Sequence, residues 1–152
     1  MPMAIDKPAA DREESEYRLL YVGRDVDWFR RLKNLLGMPA KRLVYCAGGS
    51  SVELLLKSDI RYDLFLFDLD LLNETGMELV RMVRSLAHRR HTPIIIVESE
   101  EVIDRLKELV RDAGADECLT KTEDMSDVVE TIQRVLGEGR LTASRSHSPD
   151  DS

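Results

Sequence analysis

Five short apolar runs punctuate the chain, at Tyr17–Val22, Arg42–Ala47, Tyr62–Phe67, Pro93–Val97 and Glu117–Thr120. Most are nearly continuous in apolar residues, as expected of strands covered on both faces. Longer segments of helical period lie between and after them, at Asp25–Leu36, Ser51–Lys57, Gly76–Arg89, Glu100–Ala113 and Met125–Leu136. Val102, Leu106, Leu109, Val110 and Ala113 fall on one helical stripe, and Met125, Val128, Val129, Ile132 and Leu136 on another. Strict alternation of strand and helix predicts an α/β domain, doubly wound around a five-stranded parallel sheet with right-handed crossovers.

Local chemistry marks several boundaries. Ser50 with Glu53, and Thr75 with Glu78, have capping-box spacing, in which a hydroxyl and an acid three residues on satisfy the first free N–H groups of a helix. Gly114 is placed to stop the fourth helix, since a residue without Cβ turns readily into the left-handed region. Residues 1–16 and 139–152 show neither period and read as disordered tails around a domain at 17–138.

A length of 152 residues suits one such domain. The 22 Lys and Arg against 29 Asp and Glu leave a net charge of −7, which argues against nucleic acid as a partner. The cationic group Arg81, Arg84, His88, Arg89, Arg90 and His91 reads as the solvated carboxyl end of a helix, where positive charge is favoured. No apolar stretch is long enough to span a bilayer and the amino terminus has no signal-peptide pattern, so the expectation is a cytoplasmic chain without a membrane partner. Cys46 and Cys118 lie in apolar runs and read as buried thiols rather than a disulfide or metal pair. In the first helix Val26, Phe29, Leu32 and Leu36 make the expected core stripe, with Trp28 off it, half exposed or covering the sheet edge.

The candidate chemistry lies where strands end. Val22 is followed by Gly23, Arg24 and Asp25, Phe67 by Asp68, Val97 by Glu98 and Thr120 by Lys121. In an open parallel sheet all carboxyl ends share one edge, where ligand sites form at the reversal of strand order. Arg24, Asp68, Glu98 and Lys121 are therefore expected around one crevice.

From the strand ending in Asp68, through Gly76 eight residues on, to Gly114-Ala115-Asp116-Glu117-Cys118-Leu119-Thr120-Lys121, the chain resembles the receiver domain of response regulators over roughly residues 17–138. The resemblance implies a CheY-like, flavodoxin-like sheet of order 2-1-3-4-5. It makes Asp68 the candidate acceptor of a phosphoryl group from a histidine kinase, and Lys121 the lysine that contacts the phosphoryl oxygens.

Several positions depart from the family. Gly23 and Arg24 stand where it has two adjacent acids that hold Mg²⁺, and Asp25 follows one position late. Glu98 replaces the hydroxyl residue of the switch, Cys118 its aromatic partner, Thr122 the usual proline after the lysine and Leu72 the proline four residues beyond the acceptor. Glycine and arginine offer Mg²⁺ no side-chain oxygen, and phosphoryl transfer depends on such neutralisation. The expectation is a pseudo-receiver with no resident cofactor or metal and no catalytic residue. Its phosphate pocket is formed by Lys121, Glu98, Arg24 and Asp25, with Arg24 standing in for the metal against Asp68.

Such a module acts alone, by contact with a protein partner: a histidine kinase, a downstream signalling protein or a second copy in a homodimer. One alternative is an ordinary regulator phosphorylated at Asp68. A further alternative begins from Asp68-Leu69-Asp70, similar to the first motif of haloacid-dehalogenase phosphatases, although Leu71 and Leu72 lack its usual companions.

Overall fold

The computed structural model describes residues 17–39, 42–48, 50–68, 74–98, 108–121 and 124–144. The elements in chain order are β1 (Leu19–Val22), α1 (Val26–Leu36), β2 (Leu43–Cys46), α2 (Ser50–Lys57), β3 (Leu64–Phe67) and α3 (Glu74–Ser85). A 3₁₀ turn (Ala87–Arg89) and β4 (Ile94–Glu98) follow. Next come a helical segment, α4, over 108–113, then β5 (Glu117–Thr120) and α5 (Met125–Ser144).

All strand pairs are parallel, in the order β2-β1-β3-β4-β5. Successive strand residues point to opposite faces, so the apolar runs supply two cores. Leu20, Val22, Phe65, Phe67, Ile94 and Ile96 pack under α2, α3 and α4 through Val52, Leu56, Val80, Val83 and Val110. Leu19, Tyr21, Leu64, Leu66, Ile95 and Val97 pack under α1 and α5 through Trp28, Leu32, Val128 and Ile132. The register Val22↔Phe67 brings the carboxyl ends of β1 and β3 side by side. Strand order therefore reverses beside Asp68.

Several expectations need correction. The first four strands each begin one or two residues later than their apolar runs, and α5 continues to Ser144, into the stretch read as a tail. Residues 1–16 lie outside the described residues. In α1 the stripe is rotated: Trp28 and Leu32 are fully buried, Phe29 is half-buried and Val26 is exposed. Asp25 is the N-cap, its carboxylate accepting from the Trp28 backbone N–H at 3.1 Å. That phase turns Trp28 inward to stack on Tyr21 at 5.9 Å between ring centroids.

On α4 Val110 and Ala113 are buried but Leu109 is exposed, whereas Val102 and Leu106 lie outside the described residues. Ser50 is the first residue of α2 rather than its N-cap, and Thr75 lies within α3. Gly114 does end α4, at φ 118°, and a Cβ there would meet Arg84 Cγ at 2.7 Å.

The cationic group at the end of α3 is structural in part. Arg84 donates to the carbonyls of Gly114 and Thr92 and pairs with Asp116 at 2.7 Å. Arg89 is buried against Tyr62 and Phe65 and donates to the carbonyls of Leu55, Leu56 and Ser58. Its fork closes the carboxyl end of α2, whose last carbonyls have no helical partner. Cys46 and Cys118 stand on the two outer strands and form no disulfide; Cys118 is only half-buried. Among the described residues no helix is long and apolar enough to cross a membrane.

Candidate functional site

Three chain segments meet at the carboxyl edge of the sheet. Asp68 follows β3, with its backbone N–H bonded to Val22 O at 2.7 Å, so its side chain leaves the sheet beside β1. Lys121 follows β5, and its backbone N–H donates to Glu98 O at 3.1 Å. Asp25, tied to α1 as its N-cap, faces both.

The Lys121 ammonium lies 3.0 Å from Asp68 Oδ1 and 3.1 Å from Asp25 Oδ2, bridging the two carboxylates. The Asp68 side chain is 7% exposed, which leaves it little water and makes these donors decisive. Its other oxygen, Oδ2, accepts from the Tyr21 hydroxyl at 2.5 Å. That hydroxyl in turn accepts from the Asp25 backbone N–H at 3.2 Å. Phenol, ammonium and two carboxylates form one closed network.

The electrostatics follow from this geometry. Burial, reinforced by the hydrogen bond and charge of Asp68, pushes the Tyr21 phenol far above its ordinary range and keeps it protonated as a donor. The Asp25 carboxyl is lowered, first by the Trp28 N–H, with burial opposing and Lys121 and Arg31 assisting. Burial draws the Lys121 ammonium down, but the hydrogen bonds and charges of Asp68 and Asp25 outweigh it, and the group ends above the ordinary lysine value.

Of the residues expected around the crevice, Asp68, Lys121 and Asp25 come together. Arg24 does not make the expected contact with Asp68. It is exposed and turned toward β2, where its Nε donates to Ala47 O at 3.2 Å. Tyr21 and Lys121 are the donors on Asp68, and the Arg24 guanidinium is engaged at Ala47 instead. Glu98 reaches the site through its backbone carbonyl on Lys121, and Cys118 lies on β5 at the register of Ile96. Leu69, Asp70, Leu71, Leu72 and Thr122 lie outside the described residues.

Tyr21 is the residue of this network that the sequence pattern hides. Inside an apolar strand it reads as core, and its ring is core. Only the neighbouring Gly23 hints otherwise. A Cβ at Gly23 would stand 2.7 Å from both Asp68 Cβ and the Tyr21 hydroxyl, and 2.8 Å from Asp68 O. Such contacts are shorter than carbon and oxygen tolerate, so the bare backbone at 23 is what admits the phenol to Asp68.

Fold and site together define a receiver. Residues 22–133 match the response regulator receiver domain family, and the chain belongs to that family. Among curated proteins it is 25% identical over 138 residues to the two-component response regulator ARR7 of Arabidopsis thaliana, covering 88% of this chain and 61% of that protein. It is 37% identical over 76 residues to the response regulator ArlR of Staphylococcus epidermidis, covering 49% of this chain and 32% of ArlR. The chain thus spans less than two thirds of either relative.

Among solved structures, the receiver domain of the sensor histidine kinase PA1611 from Pseudomonas aeruginosa superposes with a TM-score of 0.63 at 22% identity, covering 80% of this chain and 98% of that one. That protein was solved with a magnesium ion in its active-site cleft. Family membership makes the chain a receiver domain of the two-component type.

Proposed function

We propose that this receiver signals by contact with a protein partner, a histidine kinase or a downstream signalling protein, with Mg²⁺-dependent phosphorylation of Asp68 weak or absent. The observation that supports the reading is that both carboxylate oxygens of Asp68 are already held by protein donors, Lys121 and Tyr21. The donor set does not fit a resident Mg²⁺. That ion prefers near-octahedral oxygen ligation, while Gly23 has no side chain, Arg24 brings a cation, and Asp25 and Asp68 share the Lys121 ammonium. Among the described residues no group of three or more His, Cys, Asp or Glu is placed to hold a metal.

Lys121 supplies a fixed positive charge to Asp68, and Tyr21 a fixed hydrogen bond. Together they hold the carboxylate in one arrangement, so the face presented to a partner does not wait on a metal or a phosphoryl group. The ordinary phosphorylated reading draws on one observation of its own, the 3.0 Å contact between Asp68 and Lys121, the two residues that the family resemblance marks for phosphoryl chemistry.

Intact-protein mass spectrometry after incubation with a small phosphodonor and Mg²⁺ separates the two. The proposal expects no labile adduct at Asp68. A stoichiometric adduct, lost in Asp68→Ala, overturns it.

A further inference from the structure

Resting on that reading, we infer that Tyr21 couples Asp68 to the edge formed by β2 and α1, its hydroxyl holding Asp68 and its ring setting the aromatic cluster at that edge. In the family resemblance the switch pairs a hydroxyl residue after β4 with an aromatic on β5, and this chain has Glu98 and Cys118 there. Neither combines an aromatic ring with a hydroxyl. Tyr21 combines both in one side chain.

The hydroxyl end is committed to the site, donating to Asp68 Oδ2 and accepting from the Asp25 N–H. The ring end is committed to a cluster. It stacks on Tyr45 at 5.6 Å and on Trp28 at 5.9 Å, and lies 5.2 Å from the Phe29 centroid. Phe29 and Tyr45 meet edge-on at 5.2 Å.

This cluster reaches solvent. Tyr45 is 38% exposed on the outer strand β2, and Phe29 is half-buried on α1. Tyr21 and Tyr45 are direct partners in the β1–β2 register, so a displacement of one ring meets the other at once. Packed rings respond as a unit because a close-packed interior leaves no slack to absorb a shift. Any change that removes the acceptor at Asp68 Oδ2 leaves the phenol only the Asp25 backbone, whose carbonyl lies 3.4 Å away, so the hydroxyl must shift to donate there. The exposed Tyr45–Phe29 edge then changes with it. Tyr21 acts through other groups and is a positioning residue.

The test uses the full chain and no phosphodonor, so its failure is distinct from the failure of the proposed function. Aromatic NMR resonances of Phe29 and Tyr45, and emission from Trp28, are compared for Asp68→Asn against wild type, and again in a Tyr21→Phe background that keeps the ring and removes the hydroxyl. The expected result is clear shifts at Phe29, Tyr45 and Trp28 when Tyr21 is intact, reduced several-fold in the Tyr21→Phe background. Coupling between the two changes in folding equilibrium should be roughly tenfold. Lys121→Gln disturbs Asp68 from its other oxygen and serves as the second probe, with the same pattern expected. Shifts of equal size in both backgrounds, or none at the Tyr45–Phe29 edge, overturn the inference.

Discussion

Asp68 has two oxygens, and each has its own donor, Tyr21 on one and Lys121 on the other. Losing Lys121 leaves Asp68 nearly buried and without its cation. Because the lysine side chain is 33% exposed, the cost of Lys121→Ala falls between the exposed and buried limits, about 1–3 kcal/mol by denaturant unfolding. The pH dependence has two arms. The folded Asp25 carboxyl sits below its ordinary value of 3.8, so its contribution is present above that pH and is lost as pH falls through the lower folded value. The folded Lys121 ammonium sits above 10.5, so its contribution is present below that pH and is lost as pH rises through the higher folded value. Lys121→Ala should remove the alkaline arm and only reduce the acid arm, because the Trp28 N–H is the first cause of the lowered Asp25 value. Gly23→Ala forces a Cβ against Asp68 and the Tyr21 hydroxyl and should cost about 1–3 kcal/mol. The charges of this site were legible in the sequence because they follow apolar strands. Tyr21 was not, since a strand of continuous apolar character gives no sign that one ring ends in a working hydroxyl. Arg24 was assigned to Asp68 because charge and order suggested it, but a lysine and a phenol are the donors there and Arg24 turns to Ala47.

At the scale of elements, helix phase decides more than helix position. The segment of α1 was readable from its period and Asp25 caps it locally, yet the face it buries follows from Trp28 stacking on Tyr21, a tertiary contact. The same holds for the loop from α3 to β4. Arg89 reads as one more solvated cation, but its fork closes the end of α2 through three carbonyls, with the guanidinium over Tyr62 and Phe65. Arg89→Met retains much of the buried volume while removing the guanidinium from all three carbonyls, leaving Leu55 O to Ser58 and Ser58 O to His88. The expected cost is about 2–3 kcal/mol in denaturant unfolding. Arg89→Lys should recover only part of it, because one ammonium cannot reproduce a planar fork. Full recovery by lysine would show that charge alone, rather than the fork, ties α2 to the loop.

Across the whole molecule, the strand order β2-β1-β3-β4-β5 followed from the alternation of elements and the family resemblance, and it puts β1 and β3 together where strand order reverses. That topology gathers Asp25, Asp68 and Lys121 from three distant segments, and it also keeps Cys46 and Cys118 on opposite edges. Four strand spacings of about 4.8 Å separate those edges, so no intramolecular disulfide can form between them. The chain keeps the receiver's frame, with Asp68 and Lys121 in contact at its edge and Gly23 and the Tyr21 phenol beside them. On the function proposed above, the network of Tyr21, Asp68, Lys121 and Asp25 does without Mg²⁺. The most direct test is titration with millimolar Mg²⁺ while following the emission of Trp28, the lone tryptophan, whose backbone N–H binds Asp25 and whose ring stacks on Tyr21. The predicted result is emission that stays unchanged beyond ionic-strength controls, whereas saturable quenching that disappears in Asp68→Ala would contradict the account.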